Sequence, residues 1–101
     1  MASSKEYLDF VLEQLAELED IRARAMMGEY LLYASGKLFG GIYDDRFLVK
    51  KTPASLAALT TTEVPYEGAS EMLLVDIEDR DAITELVEGM LPDLPAPKKR
   101  R

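Results

Sequence analysis

The sequence predicts an α+β fold with two layers, in which helices pack on a mainly antiparallel sheet. Two observations carry this prediction: a continuous meander of short apolar segments over residues 26–53, and amphipathic helical patterns towards both ends of the chain. Hairpin turns separate the apolar segments, at Ala34-Ser35-Gly36-Lys37 and at Tyr43-Asp44-Asp45-Arg46. Turns of this composition between segments rich in Tyr, Leu, Phe, Ile and Val are typical of antiparallel strands. The predicted order of elements is α-β-β-β-β-α-β-α.

The first helix is predicted from a capping box and an apolar stripe. Ser3 and Glu6 fit the N-cap and N3 positions of such a box. The stripe repeats at spacings of three and four residues, which indicates one face of a helix. Its members are Leu8, Val11, Leu15 and Leu18. Acidic residues occupy the opposite side, and we expect the helix to end at about Glu19.

Four strands are predicted to follow this helix. In the first, which begins at Ile21, alanines alternate with Arg22 and Arg24, a pattern typical of a half-buried strand with one charged face. The other three are predicted at residues 30–34, 37–43 and 46–51. Gly40 and Gly41 lie inside the third strand. Each lowers the stability of a strand by about 0.5–1 kcal/mol relative to alanine. They indicate a β-bulge or room for a bulky side chain on the neighbouring strand or, alternatively, close approach of a ligand or a partner backbone.

The remaining elements alternate between helix and strand. Pro53 suits the first turn of a short helix, which the three threonines at residues 60–62 should end because of their poor helix propensity. The apolar run at residues 72–77 predicts a strand that is buried on both faces.

A last helix is predicted after Asp79 or Asp81, either of which suits the N-cap. Its apolar stripe comprises Ile83, Leu86, Val87 and Met90. We therefore expect one domain over residues 1–94 and a disordered basic tail over residues 95–101.

The composition limits the chemistry available to the chain. It contains no His and no Cys, which excludes disulfides, thiolate metal sites and the commonest general bases and nucleophiles. The densest acidic clusters, at residues 44–45 and 78–81, lie where a turn and a helix cap already require Asp. The sequence therefore predicts no catalytic residue, no cofactor and no metal site, and we expect a protein that is not an enzyme.

The charge is unevenly distributed along the chain. The net charge is −7, but residues 98–101 are all basic, which leaves 8 basic and 19 acidic residues, or −11, in the rest of the chain. This acidic part of the chain repels phosphate and anionic lipid. We therefore expect no direct nucleic-acid binding beyond weak contacts of the tail. No apolar run approaches the ~20 residues that span a bilayer. The N-terminus lacks the apolar centre of a signal peptide. The expected location is therefore cytoplasmic, without a membrane partner.

Three segments of the meander resemble the N-terminal domain of TfoX/Sxy proteins. They read MMGEY at residues 26–30, YASGKLFG at residues 33–40 and DDRFLVK at residues 44–50. The resemblance extends over about residues 5–91. The chain departs from the family pattern at Met27, Glu29 and Leu31, where the family often has Phe, Gly and Gly. These departures alter the surface beside Tyr30 and leave the hairpin signals intact.

The resemblance implies a regulatory role without an active site. TfoX-like proteins regulate natural competence in bacteria and act with a cyclic-AMP receptor-type activator. Their N-terminal domain is an α/β module, and a separate C-terminal domain resembles a helix-hairpin-helix unit. This chain corresponds to the first module, so a DNA-contacting role of the second does not carry over.

Two functions are weighed on these grounds. The first is a small regulatory module that binds another protein, for example a transcription factor, or pairs with a strand of a partner or a second copy at an exposed sheet edge. The alternative is a domain that binds a small ligand in a pocket between the sheet and the helices. The candidate interaction surface comprises Gly28, Tyr30, Tyr33, Gly40, Gly41 and Tyr43.

Overall fold

A computed structural model describes residues 4–94 and confirms the α+β class. The elements are α1 (Lys5–Gln14), β1 (Ile21–Met26), β2 (Glu29–Ala34), β3 (Lys37–Ile42), β4 (Phe47–Val49), α2 (Pro53–Ala58), β5 (Thr62–Glu63), β6 (Met72–Leu74) and α3 (Arg80–Met90), followed by a 3₁₀ turn at Leu91–Asp93. The predicted order is confirmed, with the short strand β5 in addition. The predicted tail at residues 95–101 lies outside the described residues.

The meander turns through three two-residue hairpins within the described chain, one more than the sequence predicts. Both central residues of each turn have positive φ, the type I′ conformation whose twist matches that of the flanking strands. These pairs are Met27 and Gly28, Ser35 and Gly36, and Asp44 and Asp45. The two predicted turns are confirmed. The turn at Met27 and Gly28 is the unpredicted one. The sequence signal for it is weak, because methionine is uncommon in the left-handed region.

The six strands form one antiparallel sheet in the order β1-β2-β3-β4-β6-β5. A β-bulge interrupts the pairing of β2 with β3. Leu32 lies opposite Gly40, and the next residue, Tyr33, lies opposite Leu38. Phe39 is therefore the extra residue of the bulge, beside the glycine pair as the sequence predicts.

Neighbouring backbone explains both glycines of β3. A β-carbon on Gly40 would collide with the backbone of β4, including the Cα of Val49 at 2.9 Å. A β-carbon on Gly41 would lie 2.6 Å from the carbonyl oxygen of Tyr30 and 2.8 Å from the ring of Tyr43. The sequence predicts room for a bulky side chain of the neighbouring strand, but the atoms close to Gly40 are backbone of β4, and the ring close to Gly41 is that of Tyr43 in the turn after β3.

The hydrophobic core lies on one face of the sheet, under the helices, and we call this the helix face. From the strands it receives Leu32, Ala34, Phe39, Ile42, Phe47, Val49 and Leu73. From the helices and the segments that follow them it receives Leu8, Val11, Leu15, Leu59, Ile83, Leu86, Val87, Met90 and Leu94. Helix α3 packs against both α1 and α2. The buried stripe predicted for the last helix is confirmed in full.

Both ends of α1 differ from the prediction. The N-cap is Ser4 rather than Ser3, and its Oγ accepts a hydrogen bond from the Tyr7 N–H at 3.1 Å. The helix ends at Gln14 rather than near Glu19. The following segment is rich in carboxylates, which the negative end of a helix dipole disfavours.

The other two helices begin where the sequence predicts. Pro53 lies at the start of α2, where Thr52 and Ser55 form a capping box that the sequence does not predict. Asp79 caps α3, and its carboxylate accepts a hydrogen bond from the Asp81 N–H at 3.0 Å. No helix in residues 4–94 is long and apolar enough to cross a membrane.

Two predictions of strand burial are wrong. Ala23 and Ala25 of β1 are exposed, because the helices do not reach over this outermost strand. Strand β6 ends at Leu74 rather than at Ile77, and Leu73 is its one buried residue. The helix face accounts for Leu73, while the other side of β6 is only partly covered.

The close approach of the Tyr30 carbonyl and the Tyr43 ring to Gly41 allows a test of the fold. Gly41→Ala should lower the free energy of unfolding by about 2 kcal/mol or more, because the Tyr30 carbonyl belongs to a paired strand and cannot move away. Urea denaturation measures this loss. Gly68→Ala is the control: its β-carbon meets no atom within 4 Å, but φ is +89°, so about 1–2 kcal/mol is expected from the left-handed backbone alone. A loss at Gly41 below that at Gly68 would contradict the close packing.

Candidate functional site

The face of the sheet opposite the helices, which we call the open face, carries a row of small and aliphatic residues. Leu31, Gly41, Leu48 and Leu74 lie side by side on β2, β3, β4 and β6. The ring of Tyr43 lies over Gly41, because only a residue without a side chain leaves room for it. Leu48 and Tyr43 are nevertheless buried, so another part of the chain covers this region.

Tyr43 is covered by the segment at residues 64–71, between β5 and β6, which we call the strap and whose Tyr66 ring lies against that of Tyr43. Arg46 anchors its first residues to the sheet. The guanidinium donates to the carbonyl oxygens of Val64 at 3.4 Å and Pro65 at 3.3 Å. It also forms an ion pair with Glu63 and donates to the carbonyl oxygen of Tyr43 at 3.1 Å. One planar side chain thus joins the β3–β4 turn to β5 and the strap, which is a geometry that arginine suits.

The strap and the open face enclose an open groove of about 560 Å³, which we call the strap groove. It is lined by Leu38, Gly40, Tyr43, Lys50, Lys51, Pro65, Tyr66, Gly68, Ala69, Ser70, Glu71 and Met72. The rings of Tyr43 and Tyr66 lie 6.1 Å apart at 50° to each other. Tyr66 is 62% exposed, whereas Tyr43 is 7% exposed. The groove therefore offers one fixed aromatic ring and one accessible ring.

The charges around the groove are few. Lys51 and Glu71 form an exposed ion pair at 3.2 Å, a contact that contributes little to stability. Lys50 also lines the groove and forms no ion pair with the residues that the structure describes. The groove thus combines aromatic and aliphatic surface with one available cation, an arrangement suited to an apolar side chain beside a carboxylate.

The phenol of Tyr43 is held neutral. Burial raises its pKa, and the nearby Tyr66, Glu29 and Tyr33 raise it further. A tyrosine whose pKa lies above its ordinary value is protonated at neutral pH and can donate a hydrogen bond, but it is a poor general base.

The structure brings together three of the six residues predicted for the interaction surface. Tyr33, Gly41 and Tyr43 lie on or against the open face. Tyr30 is on the other side and packs against the core under the helices. Gly28 lies at the tip of the first hairpin.

Gly40, the sixth predicted residue, lines the strap groove but is required by the approach of β4. The groove that holds Tyr43 lies on the open face, not between the sheet and the helices where the alternative reading places a pocket. A smaller cavity of about 230 Å³ does lie beside α1, lined in part by Tyr7, Phe10 and Phe47.

Sequence reasoning missed the residues that complete the groove. Arg46 is predicted as the last residue of a turn and the first of a strand, and Tyr66 belongs to no predicted helix or strand, although each contacts residues distant in sequence. The Pro65-Tyr66 pair, an aromatic residue inside a polar loop, is the one signal that could have identified the strap.

The acidic clusters have structural roles. Asp45 accepts a hydrogen bond from the backbone of Ser4 at 2.8 Å, and Asp79 caps α3. Within residues 4–94, no three Asp or Glu side chains are grouped so that they could hold a metal ion.

Comparisons with known proteins identify the family of the chain. The TfoX N-terminal domain matches residues 13–75. The chain belongs to the TfoX N-terminal domain family. It is also 33% identical over 105 aligned residues to a Spirochaeta aurantia protein described as an uncharacterized 12.7 kDa protein in the trpE 5′ region, covering 100% of this chain and 91% of that protein. No solved structure matches the chain.

The matched part of this TfoX N-terminal domain contains every strand and the strap. The open face and the strap groove therefore lie inside the segment that resembles the family, whereas α3, which covers the helix face, lies outside it.

The anchoring of the strap generates a stability prediction. Arg46→Gln should lower the free energy of unfolding by about 1–2 kcal/mol, because the half-buried Glu63 and two carbonyl groups lose a charged donor. It should also speed proteolysis within residues 64–71. Lys51→Ala is the matched control, since it removes an exposed ion pair to the same strap and should cost less than about 1 kcal/mol. Equal effects of the two substitutions would show that Arg46 does not hold the strap.

The raised pKa of Tyr43 predicts a pH dependence of stability. Burial also raises the pKa of Tyr7. Because the folded chain keeps these protons to higher pH than the unfolded chain, the free energy of unfolding should fall as pH rises above the ordinary tyrosine value of 10.0. Tyr43→Phe should flatten this fall, and Tyr7→Phe with Tyr43→Phe should flatten it further. Urea denaturation at a series of alkaline pH values measures the slope; an unchanged slope in both variants would contradict the burial of these phenols.

Proposed function

We propose that this chain is a non-enzymatic regulatory module that binds a protein partner, and that the partner is a transcription factor. The strap groove is the binding surface. The single observation that carries the proposal is the accessible Tyr66, whose ring lies beside the buried Tyr43 on the open face of the sheet.

The chemistry of the groove supports binding rather than catalysis. Tyrosine and methionine are enriched at protein interfaces, where they supply large contact areas. Tyr43 has a raised pKa, and the chain has neither His nor Cys to serve as a base or nucleophile. The carboxylates of the densest acidic clusters cap helices or hold turns.

The class of partner is supported by the family and by charge. Membership of the TfoX N-terminal domain family points to regulators of transcription, through the resemblance described above. The net charge of −7 would attract a basic protein, such as one that binds DNA, and would raise its association rate.

The test is affinity capture from a lysate of the organism that encodes the chain, with nuclease present. Tyr66→Ala should lower the amount of captured regulator about tenfold or more, since a tyrosine at the centre of an interface can contribute 2 kcal/mol or more to binding. Leu56→Ala is the matched control, because Leu56 is 53% exposed on α2, away from the groove. Both variants should remain folded by circular dichroism. Capture of the same protein by both variants would overturn the groove as the binding surface.

Small-ligand binding remains the second candidate, because a volume of about 560 Å³ is within the range of ligand pockets. It predicts that a metabolite raises the melting temperature of the wild type and not of a Tyr43→Ala variant that is shown to be folded. A screen without such a metabolite, together with capture of a regulator, would favour the protein-binding function.

A further inference from the structure

The outer edge of β1 is long and is not blocked by a proline or a bulge. At the other end of the sheet, the edge strand β5 covers only Thr62–Glu63. Strand β1 covers Ile21–Met26, contains no proline and pairs with β2 in an unbroken register. Natural sheets usually protect such edges with prolines, bulges or charges. The edge is therefore a candidate for the addition of a strand from another molecule.

The hydrogen-bonding phase of β1 identifies the free backbone groups. The Ser35 N–H donates to the carbonyl oxygen of Asp20 at 3.1 Å. Hydrogen-bonded pairs alternate in an antiparallel ladder, so every second residue from Asp20 onward bonds to β2. The N–H and C=O groups of Ile21, Ala23 and Ala25 consequently point away from β2, towards the free edge.

The side chains of β1 leave this edge accessible but make it positive. The two alanines are small and exposed, since the helices stop short of β1. Arg22 and Arg24 lie on the open face, opposite Tyr33 and Leu31 of β2. Arg22 forms an exposed ion pair with Asp20 at 3.1 Å, whereas Arg24 forms none with any residue in the range 4–94.

These arginines disfavour pairing with a second copy of the chain. Antiparallel pairing centred on Ala23 would place Arg22 of each copy opposite Arg24 of the other. Shifting the register by two residues towards the tip of the hairpin would place the two Arg24 side chains opposite each other. Like charges directly opposite are destabilising in antiparallel pairs. The registers that pair most of β1 therefore all bring arginines together.

We propose that the β1 edge binds an extended strand from a different protein, with acidic residues opposite Arg22 and Arg24, and that the same arginines prevent self-association. The inference does not rest on the strap groove, which lies on the strands beyond β2. The added strand would satisfy the outward groups of β1, and the charges would set its register.

The first test uses two capped peptides in which threonine alternates with either glutamate or lysine. The glutamate peptide should bind about tenfold more tightly and should slow hydrogen exchange at the Ala23 and Ala25 amides. The net charge of −7 would by itself favour the lysine peptide, so the expected order cannot arise from overall charge. Ala23→Pro, which removes an outward N–H but no bond to β2, should abolish binding. The proposal would be overturned if the lysine peptide bound more tightly, or if the glutamate peptide slowed hydrogen exchange only at residues outside β1.

The second test measures self-association by analytical ultracentrifugation and needs no peptide. The wild type should be a monomer. Arg24→Glu should strengthen self-association by about tenfold or more, because each new carboxylate would lie opposite Arg22 of the second copy. Adding Ala23→Pro should restore the monomer. A wild-type dimer that Ala23→Pro dissociates, or an Arg24→Glu variant that stays folded and monomeric, would overturn the role of the arginines.

Discussion

The open face of this domain depends on the guanidinium of Arg46. Its contacts reach the turn at Tyr43, the strand residue Glu63 and the first two carbonyl groups of the strap. Without it, a segment with few backbone hydrogen bonds of its own would have to lie on an apolar surface without fixed polar contacts. Charge-assisted hydrogen bonds to one planar group hold the strap at less entropic cost than several flexible side chains would. The contact between the rings of Tyr43 and Tyr66 follows from that attachment.

The two faces of the sheet are built on different principles. The helix face is filled by large aliphatic and aromatic residues from α1, α3 and four strands, so its stability comes from apolar burial. On the open face, Gly41 has no side chain, and the ring of Tyr43 lies over it. A surface made in this way has fixed rings but a shallow apolar layer, which suits the reversible binding of a partner better than it suits a second core.

What the sequence predicts well is local. Ser35-Gly36 and Asp44-Asp45 have the composition of type I′ turns, and the stripe from Ile83 to Met90 has the period of a helix, so turns and α3 follow from neighbouring residues. The missed features are long-range. The ion pair of Arg46 with Glu63 joins residues 17 apart, and no local pattern reveals it. For the same reason the sequence groups Tyr30 with Tyr33, Gly41 and Tyr43 in one candidate surface, although Tyr30 lies on the helix face, and it omits Tyr66.

The segment that matches the family does not contain the whole hydrophobic core. The match ends at residue 75, directly after β6. Helix α3 lies beyond it and buries Ile83, Leu86, Val87 and Met90 against the strands. A chain cut at residue 75 would expose part of the helix face of the sheet to water, since α1 and the short α2 would remain but the core residues of α3 would be lost. The strap groove therefore needs α3 although α3 does not line it, because the strands under the groove are held in place by the core on their opposite side.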